Sequence, residues 1–279
     1  MKKSLTALAV LGVFAGSAMA ADVTLYGALD TGFEYKHTKL TGDKAVDKFD
    51  MQTGWDTGNR WGLKGSEDLG NGYKVGFKLE SGFNGDDGTM GQGSRLFGRE
   101  AGLTLSGPFG SIAFGRFGGI SSSAGTYDML GYVESFDGGD GDVWGFASSD
   151  RYDNMVVYQT PRFAGLQLTA QYSFKTDSKA TNKPDADNNP QFNGDEGTSD
   201  AQRYASIGLS GEYGPASFAV GYELTKYGAS DTAGVGRELG KDGQLVFLGG
   251  NYDFEVVQLF AEAQYFKHQT ALNTNEWGE

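Results

Sequence analysis

The chain has few of the residues on which metal sites, thiol chemistry and disulfide-stabilised domains depend. Its 279 residues include no cysteine, two histidines and five prolines. The absence of cysteine excludes both disulfides and cysteine nucleophiles. His37 and His268 lie far apart, and neither has the spacing of a zinc ligand. We therefore expect no metal site from cysteine or histidine.

Positive charge is also scarce. The chain has 23 lysines and arginines against 36 aspartates and glutamates, which gives a formal net charge of −13. An acidic protein is a poor partner for nucleic acid, whose phosphates require basic surfaces. Glycine and aromatic residues, by contrast, are abundant, with 45 glycines, 19 phenylalanines and 14 tyrosines. The sequence therefore predicts no nucleic-acid partner.

Long hydrophobic runs are missing except at the amino terminus. The mean hydropathy is −0.41, and the one clear apolar stretch, residues 5–14, is too short for a membrane-spanning helix. Lys2 and Lys3 precede this stretch, and Ala18-Met19-Ala20 follows it. This pattern predicts a signal peptide over residues 1–20, cleaved after Ala20. The remaining domain, residues 21–279, has a formal net charge of −15 without the two lysines.

The mature sequence alternates apolar and polar residues with a period of two. Val23 and Leu25 alternate with Thr24 and Tyr26, and similar alternation recurs along the chain. This pattern is typical of β-strands with two different faces. The apolar faces mix alanine and glycine with larger side chains, whereas the opposite faces contain charged residues well inside the strands. Lipid on one side and water on the other explains both faces better than a soluble β-sandwich does.

The connections between these strands alternate in length. Short turns, such as Asn71-Gly72, alternate with long polar connections. The long connections are residues 36–58, 84–94, 116–150, 175–203 and 226–244. Alternating short and long connections are typical of an antiparallel up-and-down transmembrane β-barrel. The sequence thus predicts an all-β fold of this type.

The pattern contains about eleven strands, fewer than the ~16 of barrels with a water-filled lumen. Residues 268–279 follow the last clear strand and look polar and featureless. An open sheet edge is unfavourable in lipid because its backbone groups lack partners. We therefore expect the domain to be incomplete at its carboxyl terminus, and a chain of only these residues to fail to close.

Several segments resemble the trimeric general diffusion porins of Gram-negative outer membranes, of the beta- and gammaproteobacterial type. The matching segments are residues 23–27 (VTLYG), 60–70 (RWGLKGSEDLG), 79–83 (LESGF), 96–99 (LFGR), 107–111 (GPFGS) and 114–116 (FGR). The resemblance runs from residue 21 to about residue 266. It implies a homotrimer in the outer membrane, in contact with lipid and lipopolysaccharide, in which each subunit has its own pore.

The resemblance also implies that the third long loop, residues 117–150, folds into the barrel and narrows it. Its carboxylates would face basic residues on the opposite wall and create a transverse field across the constriction. The acidic candidates are Asp128, Glu134, Asp137 and Asp140. The basic candidates are Arg60, Lys64, Arg99, Arg116 and Arg151.

Strand alternation gives independent support to some of these candidates. It places Arg60 and Lys64 inside, whereas Arg99 and Arg116 share the parity of outward residues and would need a shift of face. Asp30 and Glu34 occupy the inner face of the first strand, where many porins carry a lysine. We therefore expect a lumen with a preference for cations.

Other functions receive less support from the sequence. A barrel enzyme would need an inward Ser/His/Asp set, which the positions of His37 and His268 oppose. The acidic pattern at residues 185–196 has Pro190 where a calcium loop requires glycine. We therefore expect no enzyme, cofactor or bound metal. A channel specific for sugars or anions is the alternative to general diffusion, and the long loops could also serve an adhesive role.

Overall fold

A computed structural model describes residues 22–39, 45–54, 57–122, 125–129, 132, 150–179, 194–227 and 241–269, together with the backbone of residues 275–278. The predicted signal peptide lies outside these residues. Regular structure in the described part of the chain is almost entirely β-strand, as the sequence predicts. No helix among these residues has the length and apolar character needed to cross a bilayer.

The described residues form fourteen antiparallel strands and one short turn, Gly91–Ser94, in which Gln92 and Gly93 have positive φ. The strands are β1 (Asp22–Ala28), β2 (Thr31–Thr38), β3 (Val46–Thr53), β4 (Arg60–Gly70), β5 (Tyr73–Gly82), β6 (Glu100–Gly107), β7 (Gly110–Gly118), β8 (Arg151–Gln159), β9 (Leu166–Ser173), β10 (Arg203–Tyr213), β11 (Ala216–Lys226), β12 (Gly243–Asp253), β13 (Gln258–Lys267) and β14 (Asn275–Gly278).

Twelve strands form one sheet in the order β1-β4-β5-β6-β7-β8-β9-β10-β11-β12-β13-β14. From β4 onward each strand pairs with the next one in the chain, which is the predicted up-and-down topology. Asn71 and Gly72 both have positive φ, as a two-residue hairpin turn requires. We call the end of the sheet with such short turns the turn side, and the end with the long connections the loop side.

The first part of the chain differs from the sequence prediction. The single predicted first strand is divided at Leu29 and Asp30, and β2 pairs with β3 in a separate two-stranded sheet. β3 lies within residues 36–58, which the sequence pattern assigned to a polar loop. This strand contains three charged residues, Asp47, Lys48 and Asp50. They make the stretch look uniformly polar, so the sequence does not show a clear alternation there.

The end of the chain also differs. Residues 275–278 form β14, which pairs antiparallel with β13 from Gln264↔Gly278 to Lys267↔Asn275. The prediction that residues 268–279 are featureless is therefore wrong for these four residues. The main sheet consequently has one strand more than the eleven expected from alternation. A segment of four residues is too short to show a period of two.

The two faces of the sheet differ in exposure as alternation predicts. Leu25, Leu103 and Leu248 are 70%, 51% and 57% exposed on one face. Ala113 and Phe247 are fully buried on the other. Because large apolar side chains dominate the exposed face, that face suits lipid contact.

One connection contacts strands that are not neighbours in the sheet. Thr126 is hydrogen-bonded to Glu100 of β6, and the Met129 side chain, three residues later, lies against Gly208 of β10. β6 and β10 are four positions apart in the strand order. A single short segment therefore joins two separated parts of the same face.

Candidate functional site

The connection between β7 and β8 runs along the face of the sheet opposite the exposed apolar one. We call its residues 119–122, 125–129 and 132 the inward segment. Ile120 and Met129 approach each other through a backbone hydrogen bond of 2.7 Å from the Met129 N–H to the Ile120 carbonyl. Both side chains pack against wall residues of β11, β12 and β13. The buried wall residues of this cluster are Ala219, Leu245, Phe247 and Phe266.

Two glycines of the wall make room for this packing. A Cβ atom at Gly208 would lie 2.6 Å from the Met129 methyl carbon. A Cβ atom at Gly221 would lie 2.3 Å from the Phe247 ring and 2.9 Å from Ile120 Cδ1. These distances are shorter than van der Waals contact, so glycine allows the inward segment to lie directly against the wall.

A buried carboxylate on β6 fixes the inward segment at one point. Glu100 is 1% exposed. It accepts hydrogen bonds from the Thr126 backbone N–H at 2.5 Å and from the Thr126 hydroxyl at 2.7 Å. Lys78 Nζ lies 2.6 Å from the same carboxylate and compensates its charge. Bonds to a charged acceptor are stronger than neutral ones, so Glu100 is well suited to hold the segment.

A second buried carboxylate fixes the segment to a strand further along the sheet. Glu223 of β11 is fully buried and accepts a hydrogen bond of 3.1 Å from the Ser121 backbone N–H. It also accepts one of 2.8 Å from the Tyr204 hydroxyl. The Tyr204 ring stacks on Tyr152 at a centroid distance of 4.1 Å. Glu100 and Glu223 thus hold the segment to two strands that are five positions apart in the sheet.

Sequence reasoning did not assign a function to Glu100 or Glu223. Alternation does place Glu223 on the polar face of β11. A carboxylate in the middle of a strand is the signal that could have drawn attention to it.

The far end of the inward segment approaches the turn side of the barrel. The Tyr132 hydroxyl accepts a hydrogen bond of 3.0 Å from Arg162 and donates one of 3.0 Å to Glu212. The Tyr132 carbonyl accepts a bond of 2.9 Å from the Asn251 side chain. Arg162 belongs to the short β8–β9 connection, so the segment extends well into the lumen from the loop side.

Arg60 and Lys64 lie on the inner face of β4. The Arg60 guanidinium donates to the Thr57 hydroxyl at 2.9 Å and to the Gly58 carbonyl at 3.0 Å. Lys64 Nζ lies 5.3 Å from the centre of the Tyr26 ring. Among the described residues, neither cation has a carboxylate within salt-bridge distance.

Arg99 has a different environment. It is 6% exposed, and its Nε lies 2.6 Å from the Glu80 carboxylate, which also accepts a hydrogen bond of 2.8 Å from Tyr26. Arg99 precedes the first residue of β6, so the outward parity that we noted for it does not apply.

Arg116 lies at an irregularity of the wall, where the β7–β8 register shifts between Gly115 and Phe117. Its guanidinium donates to the Gly98 carbonyl at 2.8 Å and to Asp153 at 2.6 Å. Arg116 needs a shift of face in order to point inward, and the irregularity at this position supplies that shift.

Arg116 and Arg151 both line a cavity of about 540 Å³ near the loop side, which we call the rim pocket. The further charged residues of its lining are Arg95, Asp150, Asp177 and Lys179. Arg95 pairs with both Asp153 and Asp177. Positive side chains thus outnumber carboxylates in this lining.

The sequence comparison decides the family. The profile of the family described as Gram-negative porin matches residues 6–278. The chain belongs to this family. It is 40% identical to an outer membrane porin protein of Bordetella pertussis over 276 residues, which cover 93% of this chain and 68% of the relative. It is 34% identical to outer membrane porin protein 32 of Delftia acidovorans, covering 96% and 70%.

Solved structures support the same fold. An anion-selective porin from Comamonas acidovorans matches this porin with a TM-score of 0.59 and 24% identity, over 92% of this chain and 71% of that one. The outer membrane channel DcaP of Acinetobacter baumannii matches with a TM-score of 0.56 and 19% identity, covering 90% and 65%. These structures show the all-β fold, while the family and the sequence relatives show that the porin is a channel protein of the outer membrane and not an enzyme.

The acidic candidates of the porin are distributed over three regions. Asp128 accepts a hydrogen bond of 2.9 Å from the Gly125 N–H within the inward segment. Asp30 accepts one of 3.0 Å from the Thr57 N–H, beside Arg60. Glu34 lies in β2, in the separate hairpin, and accepts a bond of 2.9 Å from Gln52. The remaining candidates lie outside the described residues and are Glu134, Asp137 and Asp140.

Proposed function

We propose that this porin forms a water-filled channel for passive diffusion of small hydrophilic solutes and ions, and that it assembles as a homotrimer. The observation that carries the proposal is the attachment of the inward segment to Glu100 of β6 and Glu223 of β11, five positions apart in the sheet. A segment held in this way would narrow the lumen. Size-limited diffusion needs only such a fixed constriction and no chemical step.

We propose further that the channel prefers cations. The net charge without the predicted signal peptide is −15, and Asp30 lies next to Arg60 at the loop side. The acids of the third loop, Asp128, Glu134, Asp137 and Asp140, would form the negative side of the constriction. Arg60, Lys64, Arg99, Arg116 and Arg151 would form the positive side. Opposed rows of charge orient water and ions between them.

Anion preference is the second candidate, and a specific observation favours it. Glu80 and Glu100 already face cations within 2.6 Å, and Asp153 faces two arginines. Among the described residues, no carboxylate lies within salt-bridge distance of Arg60 or Lys64, and Lys64 has only the Tyr26 ring beside it. Free positive charge on the wall attracts anions into a narrow lumen. A channel specific for sugars has no comparable observation in its favour.

Single-channel recording in a planar bilayer under a salt gradient tests these proposals. Stepwise conductance that rises in proportion to salt concentration supports passive diffusion. The sign of the reversal potential then distinguishes cation from anion preference. A folded, membrane-inserted protein without stepwise conductance would contradict the channel itself. Amino-terminal sequencing of the mature protein tests cleavage after Ala20.

A further inference from the structure

Two carboxylates lie directly opposite each other on neighbouring strands of the wall. Glu80 of β5 pairs in register with Glu100 of β6, and the two residues are 4% and 1% exposed. Like charges directly opposite in an antiparallel pair repel each other, and removal from water strengthens the repulsion. Two ionised carboxylates in this arrangement therefore need a cation between them.

Lys78 supplies that cation. Its Nζ lies 2.6 Å from the Glu100 carboxylate and 3.6 Å from the Glu80 carboxylate. Arg99 pairs with Glu80 alone, at 2.6 Å. Among the described residues, Lys78 is thus the one cation within salt-bridge distance of Glu100.

The two carboxylates differ in what else they hold. Glu80 accepts a hydrogen bond of 2.8 Å from Tyr26, whose side chain reaches it across Gly62 on the intervening strand. A Cβ atom at Gly62 would lie 2.8 Å from the Tyr26 hydroxyl oxygen. Glu100 instead accepts hydrogen bonds from Thr126 of the inward segment. A displacement of Glu100 would therefore be passed to the inward segment, whereas Glu80 is attached to the wall itself.

We infer that Lys78 is a positioning residue of the constriction, which holds Glu100 and, through it, the inward segment in one place over a wide range of pH. This inference rests on the proposed role of the inward segment in narrowing the lumen. Without Lys78, Glu80 keeps Arg99 and Glu100 has no cation. The facing pair should then share one proton at low pH and repel each other once both carboxylates are ionised.

Other ionisable groups surround this pair from β1, β4, the inward segment and β8. They are Tyr26, Arg60, Lys64, Tyr127 and Arg151. All of them are retained in the variants compared below. They therefore contribute the same background to each variant.

The test records open-channel current noise of the full-length protein in planar bilayers at about pH 5 and about pH 8. Lys78→Met removes the shared cation. Lys74→Met is the matched control, because it removes a lysine four residues earlier on the same face of β5. We expect the noise of K78M to exceed that of the unmodified protein several-fold at the higher pH and to return to its level at the lower one. K74M and the conservative variant K78R should match the unmodified protein at both.

The double variant K78M/E100Q isolates the cause. It lacks the cation and also one of the two facing charges, so its noise should not depend on pH. Equal noise of K78M at both pH values would overturn the inference, as would a pH effect that persists in the double variant. Absence of stepwise conductance in the unmodified protein would instead contradict the proposed channel.

If K78M does not fold, a single thiol provides the answer, because the chain contains no cysteine. The Lys78 side chain is 32% exposed, so the thiol of K78C, folded at low pH, is open to soluble reagents. A methanethiosulfonate that attaches an aminoethyl group restores the cation and should lower the noise at the higher pH. One that attaches an uncharged methyl group should not. Equal effects of the two reagents would refute the role of the charge.

Discussion

The Glu223 carboxylate lies within hydrogen-bonding distance of both the Tyr204 hydroxyl, at 2.8 Å, and the backbone N–H of Ser121, at 3.1 Å. One buried side chain on the barrel wall thus fixes both a neighbouring strand and the inward segment. Since we propose that the segment narrows the lumen, the position of Glu223 should affect conductance as well as stability.

Glu223→Ala should widen the channel. The substitution leaves the Ser121 N–H and the Tyr204 hydroxyl without this acceptor, which should cost about 1–3 kcal/mol of unfolding free energy. We expect larger and noisier single-channel steps. Tyr204→Phe is the matched control, because it removes the tyrosine bond and leaves the bond to Ser121. Unchanged conductance of Glu223→Ala would contradict a tethering role.

Thr126→Val should loosen the other attachment by a smaller amount. Valine keeps the shape of threonine and the backbone N–H bond to Glu100, and it removes only the hydroxyl bond. We expect a loss of about 1 kcal/mol in chemical unfolding. Glu100→Ala removes both bonds and leaves Lys78 without its carboxylate, so its effect should be larger. A double-mutant cycle of these two substitutions measures the coupling, and simple additivity would argue against direct contact.

Gly221→Ala should displace the inward segment. The new methyl group would fall 2.3 Å from the Phe247 ring and 2.9 Å from Ile120 Cδ1, and both side chains belong to the same buried cluster. We expect a cost of about 1–3 kcal/mol from overpacking and an altered conductance. Gly32→Ala is the control, because a Cβ atom there has no neighbour within 4 Å. Wild-type stability for Gly221→Ala would show that the packing at this point is looser than described.

Lys64→Glu should shift ion selectivity toward cations. Lys64 lies on the inner face of β4 above the Tyr26 ring, and no described carboxylate lies within salt-bridge distance of it. Reversing its charge should move the reversal potential in a salt gradient in the cation direction. Lys48→Glu makes the same charge change in the hairpin outside the main sheet, and we expect little effect from it. Equal shifts of the reversal potential for both variants would mean that the wall around Lys64 does not set the ion selectivity.

Much of the fold follows from local pattern, and the exceptions have local causes. Alternation locates the two faces of each strand because successive side chains point to opposite faces. The hairpin strand β3 was missed because its charged face and loop-side position hide its period. β14 was missed because four residues are too few to alternate. The family resemblance, not the pattern, indicated that the third loop folds inward.

The attachment of the inward segment could not be predicted from spacing. Thr126 and its partner Glu100 are separated by 26 residues, and no local rule connects them. The pairing of Arg99 with Glu80 likewise depends on the register of β5 and β6. Sequence reasoning could propose charged residues for the lumen, but only the assembled sheet shows which charged residues compensate one another.

The distance along the chain between Ser121 and Glu223 has a consequence for the order of assembly. The two residues are 102 positions apart, whereas from β4 onward each strand pairs with its immediate successor. Neighbouring strands can therefore pair as soon as each hairpin forms, but the Ser121 bond must wait until β11 has joined the wall. The pore should pass through a wide form during folding and acquire its narrow section late.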